Sequence, residues 1–195
     1  MLDGRRHAAR SPWRSLGVLV RACRPRQWTK NLLVLAAPLA AGAIDWPGVA
    51  ERAAGAFVVM CMLSSATYLF NDVRDREQDR IHPRKRTRPI AAGELSVRTA
   101  IVVGVALAIC GLGLAAAITP GLAAVGAGYI AVTMSYSLWW RGIVVADILA
   151  IAAGFVLRPV AGGVATDIYL SRWFAIVTAC GAIFLVAAKR YAELH

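Results

Sequence analysis

The sequence predicts an all-α, polytopic transmembrane helix bundle, and three observations carry that prediction. Of its 195 residues, 58% are hydrophobic and only 17% are charged, where a soluble domain carries roughly a quarter charged residues; the mean hydropathy is +0.58. The apolar residues gather into six runs, most of them near the ~20 residues a helix needs to cross a bilayer. Lys and Arg fall on alternate loops between those runs, so that nineteen of the twenty-two share one side if all six span, as the positive-inside rule demands.

Taken in order, residues 1–30 form a basic N-terminal segment. Met1 to Pro12 reads as disordered, whereas Trp13 to Lys30 interleaves Trp13, Leu16, Val18, Leu19, Val20 and Trp28 with Arg and Lys. That is the pattern of an interfacial helix lying on a membrane surface, with a plain tether as the alternative. Residues 31–195 make the transmembrane domain. Leu32 to Ile44 is a short run that spans only if Gln27 to Lys30 sit at the interface, and Val49 to Phe70, Val97 to Ile118, Gly121 to Leu138, Ile143 to Gly163 and Trp173 to Ala188 follow it. Gly and Ala in "GLGLAAAITPGLAAVGAGY" let these helices approach closely. The cation distribution places both termini in the cytoplasm. No apolar signal-peptide core occurs in the first thirty residues, so the first span serves as the insertion signal.

The net charge of +11 would suggest nucleic acid in a soluble protein. Here the cations border spans, where orientation and anionic lipid account for them, so the membrane is the partner and nucleic acid is not. Cys23, Cys61, Cys110 and Cys180 have no metal-type spacing and read as small core residues.

Straight after the second run, "YLFNDVRDREQDRIHPRKRTRP" packs four carboxylates and seven Lys or Arg into Tyr68 to Pro89. If the helix continues past Phe70, Asp72, Asp75 and Asp79 fall at i, i+3 and i+7 on one face, and Asn71 and Asp75 are i, i+4 neighbours. Stacked like charges repel, so something positive must face them. Arg76 is one candidate, within helical reach of both Asp72 and Asp79. The other is a divalent metal bridging carboxylates to a diphosphate, since Mg²⁺ takes one or two carboxylates together with substrate phosphate oxygens. Arg84, Lys85, Arg86 and Arg88 follow directly. They are either bidentate or point-charge phosphate donors or positive-inside anchors.

The pattern Asn-Asp-x-x-Asp-x-x-x-Asp in "NDVRDREQD", followed by "RPIAAG", resembles the first aspartate-rich motif of the UbiA superfamily of intramembrane prenyltransferases. From about Arg21 onward, "RPRQWTKNLLVLAAPLAAG", "GFVLRPVAGGVA" and "VAAKRYAEL" are similar to a bacterial branch of it that moves 5-phosphoribose from phosphoribosyl diphosphate to decaprenyl (polyprenyl) phosphate for cell-wall arabinan. The resemblance implies a Mg²⁺-dependent transferase of the cell membrane with its site facing the cytoplasm. It assigns Asp72, Asp75 and Asp79 to the metal and the catalytic step, and Asn71 with them to the diphosphate. A second aspartate-rich motif is replaced by "KRYAEL", where Lys189 and Arg190 suit a substrate bringing an extra phosphate. The family fold has nine transmembrane helices and this chain stops after six, at Glu193, Leu194 and His195; the expectation is six of nine helices, truncated at the C-terminus. Two other readings stay open: transfer of a prenyl group from its diphosphate to an aromatic acceptor, and an inactive membrane fragment. Whether the chain forms a homo-oligomer is also left open.

Two charges remain inside the fifth run. Asp147 lies near its cytoplasmic end, within reach of the site, and Arg158 lies about 16 Å deeper, too far to touch it. Intramembrane charges are functional candidates by default; Arg158, followed by Pro159, reads as a structural group bonding backbone carbonyls. Tyr129 and Tyr136 share a face, as core residues or as a cavity lining. His7, His82 and His195 form no metal or catalytic spacing.

Overall fold

The computed structural model describes residues 12–140 and 143–194, with the side chains of residues 12–14, 144, 185–186 and 189–194 set aside. The stretch before Pro12, and Arg141, lie outside the described residues. Those residues form helices α1 (Pro12–Ala22), α2 (Ala36–Ala40), α3 (Val49–Arg74), α4 (Arg76–Ile81), α5 (Val97–Ile118), α6 (Pro120–Ser135), α7 (Val144–Thr166) and α8 (Arg172–Leu194), and no strand is found among them. Four helical stretches are long and apolar enough to cross a membrane: Val49–Arg74, Val97–Ile118, Pro120–Trp140 and Val145–Thr166. In α8 the apolar stretch over Arg172–Phe184 is shorter.

The first expected span differs in kind. α1 ends at Ala22 because Pro25 forbids helical backbone at the residue before it, and Arg24 turns into the left-handed region at φ 56°. Pro25–Leu35 then forms a 3-10 helix of eleven residues, long for a geometry usually confined to three or four. Only residues 32–35 of the expected first span lie on it; the rest belongs to α2 and the turns that follow. With three residues per turn, positions i and i+3 eclipse, and Trp28, Asn31 and Val34 therefore share one side. Trp28 Nε1 donates to Ser65 Oγ at 3.1 Å, Asn31 Nδ2 to Ser64 Oγ at 3.3 Å, and Val34 is fully buried. On the far side α7 comes so close that a Cβ added at Gly162 would sit 1.8 Å from the Val34 carbonyl oxygen.

α3 is the axis of the bundle: 61% of its apolar window is inside the protein, against 17% for α5. Ala56, Val59, Met60 and Leu63 meet Val34, Ala115, Leu122, Tyr129, Ala161 and Ala165 in one core cluster. A second cluster, at the end where α3 carries its aspartates, joins Ala22 of α1 to Leu69, Ile90, Leu95 and Ala100. Leu16 and Val20 of α1 stay exposed, as do Ile101, Val102 and Ile109 of α5 and Val177 and Phe184 of α8; in a membrane-spanning bundle such faces meet lipid. Local chemistry fixes the turns. Ser96 caps α5 by accepting from the Thr99 amide at 3.0 Å, and Thr119 caps α6 by accepting from the Leu122 amide at 3.0 Å, with Pro120 pre-set at the first helical position. α6 ends in a π-helical stretch, Tyr136–Trp140, a local widening of the helix that recurs at functional sites.

Candidate functional site

The i→i+4 ladder runs across the junction of α3 and α4. The Asp75 amide donates to Asn71 O at 2.9 Å and the Asp79 amide to Asp75 O at 2.8 Å, although Asp75 itself leaves helical geometry (φ −86°, ψ 3°). Asp72, Asp75 and Asp79 consequently stay on one face, and they are 2%, 8% and 3% exposed. Three carboxylates this deep need positive partners.

For Asp72 and Asp79 those partners are Arg24 and Arg88. Arg24 Nη2 donates to Asp72 Oδ1 at 2.5 Å, and its guanidinium lies 5.0 Å from the ring centre of Tyr68. Arg88 Nη1 bridges two carboxylates, at 3.1 Å from Asp72 Oδ1 and 2.6 Å from Asp79 Oδ2. The expected helical partner Arg76 is not used. Its Nε lies 3.8 Å from the exposed Glu77 carboxylate and, though buried, makes no hydrogen bond with the described residues. Asp75 interrupts the helix immediately before Arg76, where α4 begins, and Arg24 and Arg88 occupy Asp72 and Asp79 instead.

One oxygen of each outer carboxylate, Oδ2 of Asp72 and Oδ1 of Asp79, accepts no hydrogen bond from the described residues. These are hard oxygen donors of the kind Mg²⁺ takes. Among the described residues, however, no three His, Cys, Asp or Glu side chains group closely enough to hold one ion. The donor set therefore fits an ion held by one or two carboxylates and completed by water or phosphate oxygens, rather than an ion caged by all three.

Asn71 turns the other way. Its Oδ1 accepts from Ser137 Oγ at 2.7 Å, and Ser137 Oγ in turn accepts from Arg74 Nη1 at 3.0 Å, which ties the end of α3 to the π-helical stretch. Its neighbour Tyr136 donates through the phenol to Asp147. Asp147 thus reaches the site's edge through Tyr136 and Ser137. Arg84 and Arg86 are exposed and Lys85 half-buried on the short 3-10 turn Lys85–Thr87, whose start is held by the amides of Arg84 and Lys85 donating to His82 Nδ1 at 3.2 and 3.3 Å. Of this basic group only Arg88 contacts the carboxylates. Lys189 and Arg190 lie on α8, but their side chains fall outside the described residues. Beside Arg24, burial raises the Cys23 thiol above its usual range, with the Ser65 hydrogen bond pulling it back, so it stays a neutral thiol at physiological pH.

Deeper in the bundle Arg158 is 5% exposed. It donates to Asn31 Oδ1 at 2.8 Å, to the Gly154 carbonyl and to Tyr129 Oη at 3.5 Å. The carbonyl bond is the one its place in the span suggested. Tyr129 packs in the core, while Tyr136 lines an apolar cavity of about 470 Å³ between α6 and α7 with Val132, Leu149 and Ala153. Arg24, Ser137 and Asn31 carry no signal of their own in the sequence, and Tyr68 reads there only as an interfacial aromatic. Arg24 was hidden among eight cations that the positive-inside rule already explained.

The profile of the UbiA prenyltransferase family matches residues 32–192. Over 181 residues the chain is 49% identical to a decaprenyl-phosphate phosphoribosyltransferase of Mycolicibacterium smegmatis, covering 91% of this chain and 57% of that protein. Over 180 residues it is 50% identical to the Corynebacterium glutamicum protein of the same name, covering 90% and 54%. The chain thus spans a little over half the length of these curated relatives. Among solved structures, a UbiA homolog from Archaeoglobus fulgidus bound to GPP and Mg²⁺ aligns with TM-score 0.74 at 23% identity, covering 85% of this chain and 60% of that one. A digeranylgeranylglyceryl phosphate synthase aligns at 0.75 and 17%, covering 88% and 60%. At these identities the likeness shows the fold.

Proposed function

This chain belongs to the UbiA prenyltransferase family, and from that membership we propose that it transfers 5-phosphoribose from phosphoribosyl diphosphate to a polyprenyl phosphate in a Mg²⁺-dependent reaction. It is a multi-pass integral membrane protein, and the site lies at its cytoplasmic face, where the basic loops gather. The observation that carries the reading is the buried wall of Asp72, Asp75 and Asp79 with Arg24 and Arg88 against it. The names of the Mycolicibacterium and Corynebacterium relatives supply the substrate pair.

In the reaction the bond from ribose C1 to the diphosphate oxygen breaks, a bond from C1 to a lipid phosphate oxygen forms, and inorganic diphosphate leaves. Asp72 and Asp79, with Asp75 on the same face, would hold Mg²⁺. When bound, the ion supplies Lewis-acid neutralisation of the leaving diphosphate. Arg24 and Arg88 are the guanidinium groups nearest that charge and orient the diphosphate by paired N–H donors. Asn71 fixes the end of α3 against the π-helical stretch through Ser137, and Asp147 holds Tyr136 in place at the same edge. Arg84, Lys85 and Arg86 form an exposed positive rim that attracts the anionic sugar substrate. Lys189 and Arg190 are assigned to a phosphate by their place in "KRYAEL". The acceptor phosphate is already an anion, so no general base is required.

The test incubates membranes containing the chain, alone and joined to the part of the Mycolicibacterium relative it does not cover, with labelled phosphoribosyl diphosphate and polyprenyl phosphate. Label should enter the lipid phase, and should vanish with EDTA and with Asp72→Asn. Label entering from a prenyl diphosphate onto an aromatic acceptor instead would overturn the substrate assignment.

A further inference from the structure

Arg158 is a permanent cation with no carboxylate against it. Among the described residues it forms no ion pair, and its partners are an amide oxygen, a backbone carbonyl and a phenol. They satisfy three of the five N–H donors of a guanidinium, and the rings of Tyr129 and Phe155 attract the cation without carrying an opposite charge. The group is buried, and Asn31, which accepts from its Nε, is itself fully buried. An intramembrane charge kept without a counter-ion points to a ligand that brings one.

The position of the group narrows the ligand. Asn31, which holds Arg158, also donates to Ser64 Oγ at 3.3 Å and contacts Cys61 Sγ at 3.2 Å on α3. Asp72 lies eight residues further along the same helix, about 12 Å away, with Tyr68 and the guanidinium of Arg24 between them. A polar column therefore descends from the carboxylate wall to Arg158. Its upper end is built for a diphosphate with a metal, and its lower end is a single fork of N–H donors, roofed by the rings of Tyr129 at 5.4 Å and Phe155 at 5.9 Å. A guanidinium fork matches the two oxygens of one phosphate.

We propose that Arg158, oriented by Asn31 and Tyr129, binds a phosphate monoester group inside the bundle, on the membrane-inward side of the carboxylate site. The proposal rests on the reading of that site as the place of phosphoribosyl transfer, whose two substrates each carry such a group: the headgroup of the polyprenyl phosphate and the 5-phosphate of the sugar. Binding here needs no metal.

Farnesyl phosphate and ribose 5-phosphate are titrated separately against the purified full chain in nanodiscs containing EDTA, with farnesol as the phosphate-free control. One phosphate ligand should bind wild type and lose at least tenfold in affinity in Arg158→Met, while Arg98→Met, which removes an exposed cation at the start of α5, leaves binding unchanged and farnesol does not distinguish the variants. Loss confined to farnesyl phosphate assigns the lipid headgroup; loss confined to ribose 5-phosphate assigns the sugar. Arg158→Lys, which keeps a charge in the interior without the fork, should lose at least threefold, and it carries the test if the methionine variant does not accumulate. Binding of neither ligand to wild type, or equal binding by Arg158→Met or Arg158→Lys, overturns the proposal. Phosphate binding through Arg158 without phosphoribosyl transfer would instead sink the proposed reaction and leave this site standing.

Discussion

Two charged sites are linked by α3, one at Asp72 and the other at Arg158 of α7, which joins that helix through Asn31 and Ser64, eight residues and about 12 Å before Asp72, and they are balanced in opposite ways. At the end of α3, Asp72 and Asp79 meet Arg24 and Arg88 inside the chain. In the interior, Arg158 meets only neutral groups. The difference teaches that burial alone does not decide what a charge costs. The first cluster is a network whose members stabilise each other, so removing one strands the others. The second is a charge held in place by hydrogen bonds that do not neutralise it, and removing it strands nothing charged.

The largest expected effect follows from that asymmetry. Asp72→Ala leaves two guanidiniums without their shared carboxylate and should cost about 4 kcal/mol, read as a lowered denaturation midpoint; Arg158→Met, which strands only the neutral acceptor Asn31 Oδ1 and a carbonyl, should cost about 2 kcal/mol in the same measurement. Equal losses would erase the distinction. Next comes the scaffold common to both clusters. Gly162→Ala puts a methyl group against the Val34 backbone, which no rotamer can relieve, and should cost about 3 kcal/mol. Because it displaces the strand of chain bearing both Arg24 and Asn31, it should weaken transfer as well as stability. Arg88→Met should cost about 2 kcal/mol, as the loss of charge-assisted bonds to two aspartates. It also leaves the carboxylate wall more negative, so the Mg²⁺ concentration giving half-maximal transfer should fall while the maximal rate drops. The smallest effect is expected at Arg76→Met, within about 0.5 kcal/mol of wild type, since its one ion pair is long and exposed. A large loss there would restore Arg76 as the counter-ion that helical spacing suggested.

The bundle and the acidic face were legible in the sequence because both rest on local periodicity. Long apolar runs can be counted, and carboxylates at i, i+3 and i+7 align wherever a helix continues. Their counter-ions were not legible. Arg24 is 48 residues from Asp72 in the chain and Arg88 is 16 away, so no spacing rule connects them, whereas Arg76 satisfied the rule and yields Asp72 and Asp79 to these two. Ser137 was equally hidden, since its contact with Asn71 depends on a π-helical turn that hydropathy does not reveal. The first apolar run was not legible as one element, because its residues 32–35 close a 3-10 helix that begins at Pro25 while the rest forms α2 and the turns after it.

That segment has one more consequence. Arg24 precedes the 3-10 helix and touches Asp72, while Asn31, seven residues on, touches both Arg158 and Ser64. Seven steps at ~2.0 Å give ~14 Å, where an α-helix would give ~10.5 Å, against the ~12 Å that eight residues of α3 provide. The 3-10 helix thus connects the two clusters beside α3, and the number of residues between Arg24 and Asn31 decides which side chain reaches each of them. Shortening it by a single residue would turn Asn31 through a third of a revolution and draw it ~2 Å toward the carboxylates, so a one-residue deletion between Arg24 and Asn31 should uncouple them where many surface substitutions would not.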